Sequence, residues 1–124
     1  MDLVWVGIGG FAGAIVRYLV DGVVSDQAQA SAFPWGTLVV NVSGAFLLGV
    51  LTTVIIDRAA LPAELRGPVL IGFIGAYTTF STFMLESWRL VEAGSYGLAM
   101  ANLAGSMGLG LAAIFAGLLV GRAI

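Results

Sequence analysis

Apolar residues run nearly unbroken through four stretches of this chain, about Leu3 to Val24, Pro34 to Ile56, Gly67 to Leu90 and Tyr96 to Val120. Polar and charged residues gather between them. A helix needs about 20 residues to cross a hydrocarbon core of roughly 30 Å, and each stretch is long enough. The edges are marked by Asp21-Gly22 and Ser25-Asp26-Gln27, by Pro34 in a first helical turn, by Asp57-Arg58, by a loop holding Pro62, Glu64 and Arg66, and by Gly121-Arg122. The pattern predicts an all-α integral membrane protein with four transmembrane helices in one domain, residues 1–124. An even number of spans puts both termini on one side.

The third stretch departs from the others. Its middle, residues 72–83, reads GFIGAYTTFSTF, a run of hydroxyls, glycines and phenylalanines without formal charge. Lipid offers no hydrogen bonds, so Thr78, Thr79, Ser81 and Thr82 must face protein, water or an ion, as must any backbone freed near Gly72 and Gly75. A local break there would turn carbonyls such as those of Gly75 and Thr78 out of the helical ladder, as oxygen ligands suited to a hard, sodium-like cation. The plain alternative is an intact helix with hydroxyls bonded back to its own carbonyls.

Composition narrows the chemistry. With 60% hydrophobic and 10% charged residues, the chain has no room for a soluble domain. It contains no cysteine and no histidine, which removes disulfides, thiolate nucleophiles, imidazole bases and the usual transition-metal sites, so an enzyme is not expected. The net charge of −2 and the lack of a basic tract point to neither nucleic acid nor an anionic lipid surface. The opening segment, MDLVWVGIGGFAGAIVRYLV, lacks a basic leader region and a cleavage signal, and reads as a retained span.

Arg58, Arg66 and Arg122 fall on the terminus side, against Arg89 and Arg17 on the other. So even a split permits insertion both ways round, and with it an antiparallel pair of identical chains. A fixed orientation set by weak cues is the other reading. No internal repeat is evident, so pseudo-symmetry about a mid-membrane pathway would have to come from a second chain. Small residues four apart, Gly9 with Gly13, Ser106 with Gly110 and Gly117 with Gly121, would let helices approach closely within or between subunits.

Two polar stripes follow from helical spacing. Thr37, Asn41 and Gly44 lie at i, i+4 and i+7 of the second span. A neutral amide facing a watery lane suits an anion, because it donates hydrogen bonds without the tight hold of a buried positive charge. An interhelical bond worth about 1 kcal/mol is the alternative. On the third span Thr79, Thr82, Phe83 and Glu86 share one face, with Phe80 beside Phe83; aromatic rings turned edge-on present positive edges to an anion, although either ring could simply pack. Glu86 lies deeper than Arg89 and Glu92 and would stand in a vestibule. Arg17 could pair with Asp21, snorkel, or raise the local anion concentration at a pore mouth. In the interior of the fourth span, Asn102 and Ser106 are the side-chain donors, and they share a face.

Taken together, GGFAGAIVRY (9–18), PWGTLVVNVSGAFLLG (34–49) and GFIGAYTTFSTF (72–83) closely resemble the Fluc-type, or CrcB-like, fluoride channels, over nearly the whole chain. The resemblance implies passive export of fluoride across the cell membrane, conferring fluoride resistance. It implies an antiparallel, dual-topology dimer with a second copy or a paralogous subunit, a third helix broken near its middle, two pores and one structural sodium ion at the centre of the interface. Carried over by motif, Asn41 is the pore-lining amide, Phe80 and Phe83 are the aromatic residues of the pore, and Ser81 and Thr82 are hydroxyl donors. Arg17 is a vestibule arginine, Glu86 a polar residue toward one pore end, and the Gly75 and Thr78 carbonyls the sodium ligands. Thr37 belongs to the Asn41 stripe. Ser106 begins the hydroxyl row that such proteins often carry on the fourth span, and Gly108, Gly110 and Ala113 interrupt it here. Two rivals remain: a small proton-coupled multidrug exporter, which requires an intramembrane carboxylate and would have to use Glu86, and a non-transport assembly subunit, which leaves the TTFSTF hydroxyls unexplained.

Overall fold

The computed structural model describes residues 2–124, and side chains from residue 3 onward. Four helical spans, Leu3–Ala28, Trp35–Asp57, Ala63–Glu92 and Tyr96–Ala123, are long and apolar enough to cross a membrane. They comprise α1 (Asp2–Ala28), α2 (Trp35–Leu51), the single turn α3 (Gly75–Tyr77), α4 (Phe80–Glu92) and α5 (Tyr96–Ala123). Wider π turns continue α2 over Thr52–Asp57 and lead into α3 over Gly67–Ile74.

The helices outlast the apolar stretches. The first continues four residues past Val24 to Ala28, and the third begins at Ala63 and ends at Glu92. Hydropathy locates the part of a helix that meets lipid tails, whereas the backbone ladder continues into the headgroup region, where Ser25, Asp26 and Gln27 remain solvated.

Two close seams organise the bundle. α1 lies along Gly67–Ile74, where a Cβ on Gly9 or Gly13 would collide with the carbonyls of Pro68 and Phe73. α2 lies along α5, where a Cβ on Gly117 would collide with the Phe46 carbonyl and one on Gly49 would stand 2.5 Å from that of Ile114. Glycine there admits backbone-to-backbone contact that lipid-like side chains alone would not drive. Gly110 meets nothing within 4 Å, so the Ser106–Gly110 pair is not a seam within this chain.

The core is small and partly polar: Val40, Ile55, Ile74, Tyr77, Phe83, Leu90 and Ala99 are buried together with Thr37, Thr53, Ser87 and Asn102. Phe11, Tyr18, Ile71 and Phe115 point outward, as a bilayer permits.

The third span is broken, but not at its glycines. Gly75 is helical at φ −61, ψ −36, and Gly72 instead serves the α1 seam, a Cβ there falling 2.5 Å from the Val6 carbonyl. The chain leaves the helix at Thr78 (φ −84, ψ 160) and Thr79 (φ −149, ψ 122). β-Branched residues are at home in such extended conformations, and Thr79 then caps the helix that follows.

Candidate functional site

A break inside a membrane helix releases backbone groups that lipid cannot satisfy, and here side chains take them up. The Thr79 N–H, which an uninterrupted helix would aim at the Gly75 carbonyl, is donated to Asn41 Oδ1 at 2.8 Å. Asn41 Nδ2 in turn donates to the Thr79 carbonyl at 2.9 Å. The amide of Asn41 therefore pairs with Thr79 as one peptide pairs with another in a sheet. Its orientation is dictated, since only Oδ1 can accept from the N–H and only Nδ2 can donate to the carbonyl. One N–H of Asn41 is left over.

Below the break, the Thr82 N–H turns to Thr79 Oγ1 at 3.3 Å, an N-cap on α4, and Thr79 Oγ1 donates to Thr82 Oγ1 at 3.1 Å. The carbonyls of Gly75 and Thr78 have thus both lost the N–H groups a continuous helix would give them. Arg17 Nη1 lies 3.5 Å from the Thr78 carbonyl, a long contact on an oxygen with two lone pairs. Among the described residues, no group of three His, Cys, Asp or Glu side chains gathers to hold a metal, so a cation at this level would depend on carbonyl oxygens.

Two cavities adjoin the break, and a third shares residues with one of them. One of about 280 Å³ is bounded by Asn41, Gly44, Thr78, Thr79, Phe80 and Phe83, among others. The two rings meet edge to face, with centroids 6.3 Å apart and planes at 64°. Phe83 is 7% exposed and Phe80 73%, so one wall of this cavity is open to whatever lies beside the subunit. A second cavity, about 300 Å³, shares Thr79 and brings in Arg17, Asp21, Thr37 and Thr82. The third, about 530 Å³, shares Asp21 and Thr37 and opens past Glu86, Asp26 and the 28–34 loop. Thr37 Oγ1 donates to Glu86 Oε1 at 2.8 Å, while Glu86 Oε2 is buried without a partner.

Seven of the nine residues proposed for an anion path, Asn41, Phe80, Phe83, Thr82, Thr37, Arg17 and Glu86, border these spaces. Ser81 and Ser106 border none of the three. Ser81 is exposed on the outer side of α4, and Ser106 Oγ donates within the subunit to Asn102 Oδ1 at 3.2 Å. Sequence reasoning singled out neither Tyr77, whose hydroxyl meets Ser43 Oγ at 2.8 Å, nor Ser87, which accepts from Asn102, and it did not pair Asn41 with Thr79.

Residues 4–118 match the family described as CrcB-like protein, Camphor Resistance (CrcB). The chain belongs to the CrcB-like family. Among CrcB-like relatives, a protein of Magnetococcus marinus named fluoride-specific ion channel FluC is 44% identical over 124 residues, covering 100% of both chains. One of the same name from Solidesulfovibrio magneticus is 45% identical over 120 residues, 97% of this chain and 95% of the relative. A longer relative from Methylococcus capsulatus, also so named, is 46% identical over 122 residues, 98% of this chain and 53% of its own length. With four apolar spans, this CrcB-like chain is a multi-pass membrane protein.

Proposed function

We propose that the chain is one subunit of a fluoride-selective channel that lets cytoplasmic fluoride leave passively through the cell membrane, and that it is not an enzyme. The observation that carries this reading is the cavity walled by Asn41, Phe80 and Phe83, a lane with no formal charge at its centre. Fluoride is small and strongly hydrated, so a passage must replace its water with donors that hold it without trapping it. Asn41, locked onto Thr79 and bordering the cavity, has one N–H left to offer, and the ring pair would contribute edges of positive potential. Arg17, one cavity away, concentrates anions near the lane without standing in it. Weak-acid HF that enters from an acidic medium dissociates in a near-neutral cytoplasm. A negative-inside potential then drives the anion out, by about 2.3 kcal/mol per 100 mV. Export needs no nucleotide and no proton coupling.

The working unit in this reading is an antiparallel dimer with two pores, formed with a second copy or a paralogous chain. The exposed Phe80 supports it, because a neighbouring subunit would supply the missing wall. A structural sodium ion fits the break: the carbonyls of Gly75 and Thr78 are the oxygens released by the Asn41 and Thr79 bonds, and they would hold it. Bound there, sodium would supply a fixed positive charge that ties the two breaks together. Ser81 and Ser106, facing away from the cavities of this subunit, would serve a lane completed by the partner.

Efflux from liposomes holding the purified protein, read with a fluoride electrode, tests the reading. Fluoride should leave only when a shunt discharges the membrane potential, chloride should stay, and a proton gradient or added drug cations should change nothing. Equal passage of chloride, or no efflux from a folded dimer, would sink the proposal, and dependence on the proton gradient would favour an exporter using Glu86.

A further inference from the structure

Three polar side chains form a buried line between α5 and α4, set apart from the cavities. Ser106 Oγ donates to Asn102 Oδ1 at 3.2 Å, Asn102 Nδ2 to Ser87 Oγ at 2.9 Å, and Ser87 Oγ to the Phe83 carbonyl at 2.8 Å. Asn102 is 1% exposed and Ser87 4%. The direction of the line is forced. Ser87 has one hydrogen, already given to Phe83, so it must accept from Asn102, and this turns the amide oxygen toward Ser106.

The line ends on the main chain of a residue that walls the lane. α4 begins just after the break, so no continuous ladder from the preceding half of the span fixes its rotation or height. Its first turn is held by the Thr79 cap and the Asn41 pair. Further along, at Ser87, its inner side meets Asn102 of α5. Aliphatic side chains could fill that space equally well, but they slide. An amide cannot slide without leaving its donor and acceptor unpaired in a medium that offers no substitute.

Resting on the fluoride-channel reading above, we infer that Asn102 is a positioning residue of the lane: acting through Ser87, it fixes the rotation of α4 and so the place of the Phe83 ring relative to Phe80. It touches no anion. It also gives Ser106 a role within the subunit in which it resides.

The test compares wild type, Asn102→Leu, Ser87→Ala, the double variant, and the conservative Ser87→Thr, which keeps the hydroxyl. The control is Thr53→Val, which removes a buried hydroxyl bond of the same kind, to the Gly49 carbonyl, in the π turns beyond Leu48, where the second span no longer borders the lane. Initial fluoride efflux per folded dimer and the fluoride-to-chloride permeability ratio are both read. The ratio is the deciding measure, because it does not depend on how much protein is folded. We expect Asn102→Leu and Ser87→Ala each to lower the ratio about tenfold, the double variant to do no more than the stronger single change, and Ser87→Thr and Thr53→Val to keep the wild-type ratio. An unchanged ratio in Asn102→Leu overturns the inference, as does full additivity of the two changes or an equal fall in Thr53→Val. If Asn102→Leu does not fold, Ser87→Ala and Ser87→Thr decide the matter by themselves. A wild-type protein that carries no fluoride overturns the channel reading and this inference together, which separates the two failures.

Discussion

The end of the second span and the middle of the third both leave regular α geometry, by opposite means. Over Thr52–Asp57 the turns widen but the backbone keeps bonding to itself: the Arg58 N–H reaches the Thr53 carbonyl at 3.0 Å, five residues back. At Thr78–Thr79 the ladder stops and a side chain from another helix completes it. The widened turns of Thr52–Asp57 remain self-sufficient, and they line none of the cavities described above. A broken helix exposes peptide dipoles that can be given to an ion, at the risk of depending on one partner. The difference supports placing the proposed site at the break, where the Gly75 and Thr78 carbonyls have lost their helical donors.

That contrast can be broken at its weakest joint. Asn41→Leu strips a donor and an acceptor from Thr79 together; at about 1–3 kcal/mol for each orphaned buried group, denaturant unfolding in micelles should register a loss of about 2–6 kcal/mol, and efflux should vanish. Asn41→Asp still accepts from the Thr79 N–H but sets a carboxylate against the Thr79 carbonyl and the anion, so efflux should fall at least tenfold while secondary structure by circular dichroism stays as in the wild type. Phe80→Ile, at an exposed ring, should leave unfolding within about 0.5 kcal/mol of the wild type while depressing efflux; an unaltered rate would remove Phe80 from the lane. Thr79→Val deletes the cap on α4, and about 1 kcal/mol of stability should go with it. Smallest of all, Thr53→Val within the self-bonded turns should change stability by roughly 0.6 kcal/mol and transport not at all. A loss there as large as that of Asn41→Leu would abolish the distinction.

The spans were legible because hydrophobic length is a one-dimensional property, and residues 3–24 and 96–120 needed only extension at their ends. The break was legible as a need for partners, and the Gly75 and Thr78 carbonyls named for it are the ones that lose their helical donors, but the bend itself lies at Thr78 and Thr79 and not at the glycines. Glycine signals permission to bend, and in this chain Gly72 uses that permission for close packing while the threonines do the bending. Periodicity placed Thr37 and Asn41 on one stripe and Thr82, Phe83 and Glu86 on another, and the structure brings those stripes together. It could not show that Asn41 would face Thr79, 38 positions away, or Asn102 face Ser87, because spacing tells which residues share a face and not which neighbour that face meets. Ser81 and Ser106 illustrate the same gap, since the hydroxyl type is right for donating to an anion and the direction is set by packing alone.

The seam between α2 and α5 has a consequence for how the protein is made. Its members are the second and fourth spans to emerge, and the Arg58 guanidinium just past the second rests on the carbonyl of Arg122, 64 residues later. At roughly 5–20 residues per second, the ribosome needs several seconds to cover that interval. Throughout it the glycine-notched face of α2 has only lipid beside it. A nascent chain stalled before the fourth span would therefore be inserted yet unfinished, the groove at Gly49 open to any passing small-residue helix, and membrane quality control would have a defined surface by which to recognise it.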